Sequence, residues 1–261
     1  MQGGETLDYM PLWALFGTTL VLIFLAVEVG FRIGRWRQRR AVHEKETPVG
    51  ATVAATLGLP AFLIAFTFGM AASHFEIRRG LVLEEANAIG TTYLRAALVP
   101  EPHRAEIRTL LRDYVDLRLE GVEAGKFAPA LAHSTELQGR LWAQAVGAAE
   151  KKPTPITGLL IQSLNEVIDL HAKRVTMGIR NRIPNTIWGA LYFTVILAMV
   201  GVGYYEGLVS STRTLETLVL VVTFSGVLWL LADLDRPQEG LIKVSQQAMI
   251  DLRKSMTPRE P

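Results

Sequence analysis

The sequence predicts an all-α membrane protein with four transmembrane helices and one helical extramembrane domain. Four apolar runs support this fold class, and the last three contain no charged residue: 11–31, 51–72, 184–205 and 217–232. At about 1.5 Å of rise per residue, each of the first three can cross a hydrocarbon core of about 30 Å. The fourth is shorter and needs some local thinning of the bilayer. Most of the charge lies instead between residues 73 and 183.

The composition excludes several classes of protein. Cysteine is absent, which rules out disulfides, thiol catalysis and thiolate metal sites. The formal net charge is only +2. Arginine clusters beside membrane helices explain the pI near 8.9 better than a nucleic-acid surface does, so we expect no nucleic-acid partner.

The first apolar run is predicted to stay in the mature protein as a membrane helix. Residues 1–10 carry Glu5 and Asp8 but no Lys or Arg, which is not typical of a cleaved signal peptide. Glu28 lies one helical turn before Arg32, so we expect a local ion pair. Five arginines follow the run, and by the positive-inside rule their short loop prefers the cytoplasm: Arg32, Arg35, Arg37, Arg39 and Arg40. That orientation places the termini and the central domain on the opposite side, whereas basic residues flanking the domain favour the reverse.

The chain divides into four predicted segments: two N-terminal membrane helices with their arginine-rich loop at 1–72, a helical domain at 73–183, two further membrane helices at 184–232, and a tail at 233–261. Within the domain, the second membrane helix continues to Val99, because Pro100 disfavours helix at the preceding residue. The next helix has one apolar face, formed by Ile107, Leu110, Leu111, Tyr114 and Leu117. Helices are also predicted around 131–150 and, after the break KKPTP, at 157–182.

The second membrane helix contains FLIAFTFGMAASHFEIRR, which begins apolar and ends charged. Small residues recur every four positions, at Ala61, Ala65, Gly69 and Ser73, and such stripes let helices approach closely in lipid. Phe62, Phe66 and Met70 form a neighbouring stripe of bulky residues. These side chains either face lipid or a neighbouring helix, or they face a symmetry axis. In the second case, copies from several subunits form a narrow hydrophobic neck that gates a pore by dewetting.

Polar residues follow this stripe on the same helix. Arg78 leaves the membrane, and together with Glu84, Glu85 and Asn87 it is predicted to line a polar vestibule. A ring of carboxylates favours cations, while the arginines favour anions, so ion preference stays open. The alternative interpretation of Glu84 and Glu85 is a solvated helix face.

Two stretches resemble the bestrophin-like family of bacterial membrane proteins: AFLIAFTFGMAASHFEIRRGLVLEEANAIGTTYLRA and DLDRPQEGLIKVSQQAMIDLR. The resemblance covers most of residues 15–255. It implies an oligomer, pentameric in bestrophins, with four membrane helices per subunit and a neck of three apolar residues spaced by four. Phe62, Phe66 and Met70 match that spacing, and Arg78 falls where such a helix carries an arginine. The paired tryptophans that usually follow are replaced by Arg79 and Gly80.

The resemblance also bears on metal binding and orientation. Asp233, Asp235 and Glu239 offer hard oxygen ligands just past the fourth membrane helix, where calcium-controlled bestrophins carry an acidic clasp. Their spacing fits no known calcium loop, and a turn or helix start is the alternative. Calcium is the one cofactor that these residues suggest. Bestrophins place both termini and the central domain in the cytosol, opposite to the preference of the arginine loop.

We therefore predict an oligomeric ion channel of the bacterial inner membrane that conducts inorganic ions passively. The first alternative is a membrane-anchored binding or signalling module without a pore. A secondary transporter is a further alternative, but it usually needs more helices and inverted repeats. The sequence has no phosphate loop, nucleophile elbow or paired-histidine zinc helix, so we expect no enzyme.

Overall fold

The computed structural model describes residues 10–40, 46–123, 127–209, 215–236 and 240–256. Over those ranges the chain is helical and contains no β-strand, which confirms the predicted all-α class. A one-turn π-helix, Thr176–Arg180, follows the fifth helix. The helices are α1 Leu12–Arg39, α2 Glu46–Ala96, α3 His103–Glu123, α4 Phe127–Lys151, α5 Pro155–Val175, α6 Asn185–Val209, α7 Leu215–Asp235 and α8 Gln247–Met256.

Four of these helices, α1, α2, α6 and α7, are long and apolar enough to cross a membrane, as the sequence predicted. The chain is therefore a membrane protein. Helix α2 has 51 residues, so at about 1.5 Å per residue it is more than twice as long as a bilayer core is thick. The apolar part of α2 ends near residue 72, and the charged remainder extends beyond it.

The described residues fall into two compact units. The membrane unit comprises Met1–Ser73 and Arg182–Ile242, and the helical unit comprises His74–Asn181 and Lys243–Pro261. Helix α2 contributes to both. The end of the chain, which the sequence division treats as a separate tail, supplies α8 to the helical unit.

In the membrane unit, a seam of four glycines joins α1 to α6. A Cβ atom added at Gly30 would collide with the backbone of Val200, and one at Gly203 would collide with the backbone of Val27. One turn further along, Gly34 and Gly207 meet in the same way. Such close approach of two backbones is the main route to helix packing in lipid, where no hydrophobic effect drives helices together.

Side chains extend the contacts of α1 beyond this seam. The hydroxyl groups of Thr19 and Tyr192 are 2.8 Å apart, linking α1 to α6. Helix α7 also packs against α1, where the rings of Phe16 and Trp229 meet edge to face with their centroids 6.5 Å apart. The predicted local ion pair is confirmed, because Arg32 Nε donates to Glu28 Oε1 over 2.7 Å.

The helical unit has its own hydrophobic core. The predicted apolar face of α3 is confirmed by the burial of Ile107, Leu110, Leu111 and Tyr114, and Leu117 is half-buried. These side chains pack with buried residues of α2, α4 and α5. Met249 and Met256 of α8 complete the core, which shows why the end of the chain belongs to this unit.

Helix α5 begins where the sequence KKPTP predicts a break. Thr154 is the N-cap residue, and its side chain and backbone exchange hydrogen bonds with Thr157 in a capping box. Pro155 occupies the first helical position, where its missing N–H is not needed. The predicted helix at 157–182 is shorter in the structure, since α5 ends at Val175 and the π-helix follows.

Candidate functional site

The membrane half of α2 leaves most of its surface open in the single chain. Phe62 is 69% exposed and Phe66 is 63% exposed, while Met70 is half-buried. Helical spacing of four places these three side chains on one stripe, as the sequence predicted. Only a few residues of this half are buried, among them Pro60, Thr67 and Ala71.

The stripe of small residues beside the phenylalanines is also open. Ala61, Ala65 and Gly69 are exposed, as is Ser73. A Cβ atom added at Gly69 would meet no other part of the described chain within 4 Å. By contrast, Gly50 near the start of α2 lies against the ring of Tyr205 on α6, at 3.1 Å from an added Cβ. Close packing of α2 within the membrane unit is therefore found at its start and not along the small stripe.

The second half of α2, in the helical unit, has one exposed and one buried face. Glu84 and Asn87 lie on the exposed face. Arg78 and Glu85, predicted with them to line a vestibule, are buried, and Glu85 is 0% exposed. A side chain that is already buried in the single chain cannot line a vestibule, so the predictions for Arg78 and Glu85 are corrected. Glu85 lies on the same face as Leu81 and Ile89, four residues before and after it, and this face packs into the core of the unit.

Glu85 is the centre of a buried polar network. Its carboxylate forms an ion pair with the guanidinium group of Arg174 on α5. Arg118 Nε on α3 lies 3.5 Å from Glu85 Oε1. The Tyr114 hydroxyl donates to the same oxygen over 2.9 Å. Arg174 also donates to the side chain of Gln246 over 3.3 Å, so residues of α2, α3 and α5 and the segment before α8 meet at one point.

The Tyr114 hydroxyl fixes the protonation of His171. This hydroxyl has one proton, which it donates to Glu85. His171 Nδ1 lies 3.0 Å from the Tyr114 oxygen and must therefore donate to it, as Gln138 Nε2 also does over 3.4 Å. The Nδ1–H tautomer of His171 follows from this network. His171 itself is buried.

Burial and charge shift the pKa values in this network. Burial by itself would raise the pKa of Glu85, but the guanidinium groups of Arg174 and Arg118 outweigh this effect, so the pKa lies below its ordinary value. Burial, together with the Glu85 carboxylate, raises the pKa of Tyr114. Burial, with a further contribution from the charge of Arg118, lowers the pKa of His171 to about 4. Near neutral pH the network thus contains an ionised Glu85 and a neutral His171.

Comparison with known proteins identifies the family of the chain. A family model for the bestrophin-like domain matches residues 20–249. The chain belongs to the bestrophin-like family. None of the curated proteins compared with it matches.

Solved structures of bestrophin homologues share the fold of this bestrophin-like chain. A bacterial bestrophin homologue from Klebsiella pneumoniae is 17% identical, with a TM-score of 0.65 over 94% of this chain and 99% of the other. A single-residue variant of a bacterial bestrophin homologue from the same organism is 15% identical, with a TM-score of 0.69 over 95% of this chain and 97% of the other. At these identities the likeness establishes the fold alone.

Asp233 and Asp235, in the last turn of the fourth membrane helix of the bestrophin-like chain, accept hydrogen bonds from backbone N–H groups. Asp233 accepts hydrogen bonds from the backbone N–H groups of Leu241 and Ile242, over 2.9 and 3.0 Å. Asp235 accepts one from Ile183 N over 3.1 Å. Gly240 has a φ of +109° and packs directly against the Asp233 carboxylate, where a side chain would collide with it.

This arrangement bears on the predicted metal site. Glu239, its third predicted ligand, lies outside the described residues. Among the residues that the structure describes, no group of three His, Cys, Asp or Glu side chains is arranged to hold a metal ion. Both oxygens of Asp233 accept backbone hydrogen bonds, which gives this carboxylate a structural role at the start of the following segment.

Two features of the bestrophin-like chain were missed at the sequence level although signals for them exist. The glycines of the seam occur in the sequence as two small-residue motifs with a spacing of four, Gly30-x-x-x-Gly34 and Gly203-x-x-x-Gly207, which lie at the ends of apolar runs. The inward direction of Glu85 could have been read from its spacing of four to Leu81 and Ile89. The partners of Glu85 have no such signal, because they come from α3 and α5 and only the tertiary fold brings them together.

Proposed function

We propose that this bestrophin-like chain forms a homo-oligomeric ion channel, pentameric like the bestrophins it resembles, through which inorganic ions flow passively across the bacterial inner membrane. The pore is lined by the membrane half of α2. Phe62, Phe66 and Met70 form the hydrophobic neck, and the exposed Glu84 and Asn87 belong to the wider polar vestibule.

The observation that carries this proposal is the exposure of Phe62 and Phe66 beside an equally exposed small stripe. In lipid, small residues at a helix surface serve the close approach of another helix. Among the described residues, no group beyond the neighbouring backbone of α2 lies within 4 Å of a Cβ atom added at Gly69. A second copy of the chain supplies the missing neighbour, and the adjacent phenylalanines then point toward a shared axis.

A membrane-anchored module without a pore is the second candidate. The helical unit favours it, since its hydrophobic core and its buried polar network are formed by residues of that unit. In such a module the open face of α2 would contact lipid or a partner, and Phe66 would have no role in conduction.

Current through planar bilayers distinguishes the two candidates. Purified protein should conduct, and Phe66→Ala should raise or deregulate the current because it widens the neck. Phe68→Ala is the matched control: Phe68 is 41% exposed on the same helix but points to a different side, about 200° around the axis from Phe66.

Three outcomes separate the candidates. A larger current for Phe66→Ala with an unchanged current for Phe68→Ala supports the neck. Silence of a well-folded oligomer in both wild-type and Phe66→Ala forms supports the module. Equal effects of the two substitutions would place the phenylalanines in lipid and remove the pore from α2.

A further inference from the structure

A basic cavity lies within the helical unit, apart from the buried network around Glu85. Its volume is about 930 Å³, within the range of small-molecule pockets. Three arginines of α3 line it at intervals of four residues, Arg104, Arg108 and Arg112. Lys254 of α8 and Tyr93 of α2 also line it, and Glu101 is the one acidic residue among the described residues of the lining.

The arginines are placed by the fold and keep donors for a ligand. Arg108 lies flat over the Tyr93 ring, with its guanidinium carbon 4.2 Å from the ring centroid. Its buried Nε atom has no hydrogen-bond partner among the described residues. Arg104 Nε donates a hydrogen bond to the backbone carbonyl of Val99 over 3.0 Å. Arg112 Nε donates one to the backbone carbonyl of Arg108 over 3.3 Å. Each guanidinium has five N–H donors, so the terminal nitrogens of these two remain able to bind an anion.

The nearby acidic groups do not neutralise the cavity. Glu101 Oε1 lies 3.7 Å from Arg104 Nε, and both side chains are largely exposed. Lys254 is 4.0 Å from Asp251, also at the surface. Exposed pairs at such distances are weak and screened. Four cationic side chains and one carboxylate in the lining leave a strong positive potential in a partly enclosed space.

The spacing of the arginines sets the size of the anion. Eight residues of helix separate Arg104 from Arg112, which is about 12 Å along the axis. A row of three guanidinium groups over this length matches an anion with more than one phosphate group better than it matches a single phosphate. Guanidinium forks match phosphate oxygens in a bidentate geometry, unlike the single contact of a small halide.

We propose that this cavity binds an anion that carries at least two phosphate groups. The chemistry is that of a polyphosphate ester or of a diphosphate lipid headgroup. Arg104 and Arg112 bind separate phosphates, Arg108 contacts the bridge between them, and Lys254 adds charge at the rim. The inference does not depend on ion conduction, because all of these residues belong to the helical unit.

Binding is tested with the full-length protein in detergent, by titration calorimetry with tripolyphosphate and pyrophosphate. Wild-type protein should bind both, with an affinity that falls as salt is added. Arg112→Gln should weaken binding about tenfold, since charged hydrogen bonds to phosphate are lost. Lys254→Gln, at an exposed position, should weaken it severalfold without affecting folding, and Glu101→Gln should tighten it.

A matched control and a lipid arm complete the test. Arg140→Gln removes an exposed arginine of α4 outside the cavity lining and should leave the affinity unchanged. Protein in phosphatidylcholine nanodiscs with and without cardiolipin tests whether the anion is a lipid headgroup. Cardiolipin should raise the unfolding midpoint of the wild-type protein, and Lys254→Gln should reduce this rise.

Binding of tripolyphosphate alone identifies a soluble ligand, and stabilisation by cardiolipin alone identifies a lipid headgroup; either supports the site. Absence of both effects in folded wild-type protein would overturn the proposal. A loss in Arg140→Gln as large as that in Arg112→Gln would also overturn it, because it would show only general attraction to a basic surface.

Discussion

Glu85 and Arg174 form an ion pair in the core of the helical unit, although 89 residues of chain separate them. Glu84, the preceding residue, is exposed. Two adjacent carboxylates of the same helix thus have opposite environments, because successive residues point about 100° apart. The comparison of these two positions gives the clearest test of the buried network.

Glu85→Ala should destabilise the protein by about 3 kcal/mol or more, because it leaves the cationic side chains of Arg174 and Arg118 buried without their carboxylate. Glu84→Ala should change stability by no more than about 0.5 kcal/mol. Thermal unfolding of both variants in detergent measures the difference. Similar midpoints for the two variants would mean that Glu85 is not held in the network.

The pKa of His171 predicts a loss of stability in mild acid. In the folded chain this pKa is lowered to about 4, below its ordinary value of 6.5. Between these pH values the unfolded chain takes up a proton that the folded chain does not, so stability should fall as pH decreases from 6.5 to 4. The loss should approach about 3 kcal/mol and then level off for this group. The depressed pKa of Glu85 adds a further loss below pH 4.5.

Unfolding midpoints measured from pH 7.5 to 4 test this dependence. His171→Gln should flatten the part of the profile between pH 6.5 and 4. His133→Gln, at an exposed histidine of α4, should retain the wild-type slope. A wild-type profile that is flat over this range would contradict the buried, neutral state of His171.

Gly69→Leu should disrupt the proposed oligomer without destabilising the fold of the single chain. The single chain has open space at Gly69, so a leucine fits there without a collision. In the proposed oligomer the same side chain would keep the neighbouring helix away, and the oligomer should dissociate. Gly189→Leu is the control, at an equally open glycine of α6. Light scattering after size-exclusion chromatography measures the mass; an intact Gly69→Leu oligomer would place the subunit interface elsewhere.

Asp233→Asn tests whether this residue has a structural or a metal-binding role. The amide has one acceptor oxygen where the carboxylate has two, so one of the N–H groups of Leu241 and Ile242 loses its partner. The expected cost is about 1 to 3 kcal/mol in thermal unfolding, with or without a chelator. A rise of the wild-type midpoint with calcium that Asp233→Asn abolishes would instead support the calcium site suggested by the sequence.

The membrane helices and the apolar face of α3 were predictable because periodicity and length alone decide them. Four apolar runs became α1, α2, α6 and α7, and Ile107, Leu110 and Leu111 are buried as expected. Glu85 was assigned to a vestibule because it follows the neck stripe on the same helix and could contribute to a ring of carboxylates. Its burial depends on Arg174 and Arg118, which lie far away in sequence, so pairing over such distances could not be read from a local pattern.

The glycine seam between α1 and α6 also constrains how the chain is made. The ribosome synthesises α1 long before α6: Thr19 and Tyr192, which link the same two helices, are 173 residues apart in the chain. At about 5 to 20 residues per second, the ribosome needs roughly 9 to 35 s to supply the partner of α1. During that interval the nascent α1 must wait in the bilayer with its glycine face turned to lipid or to the insertion machinery.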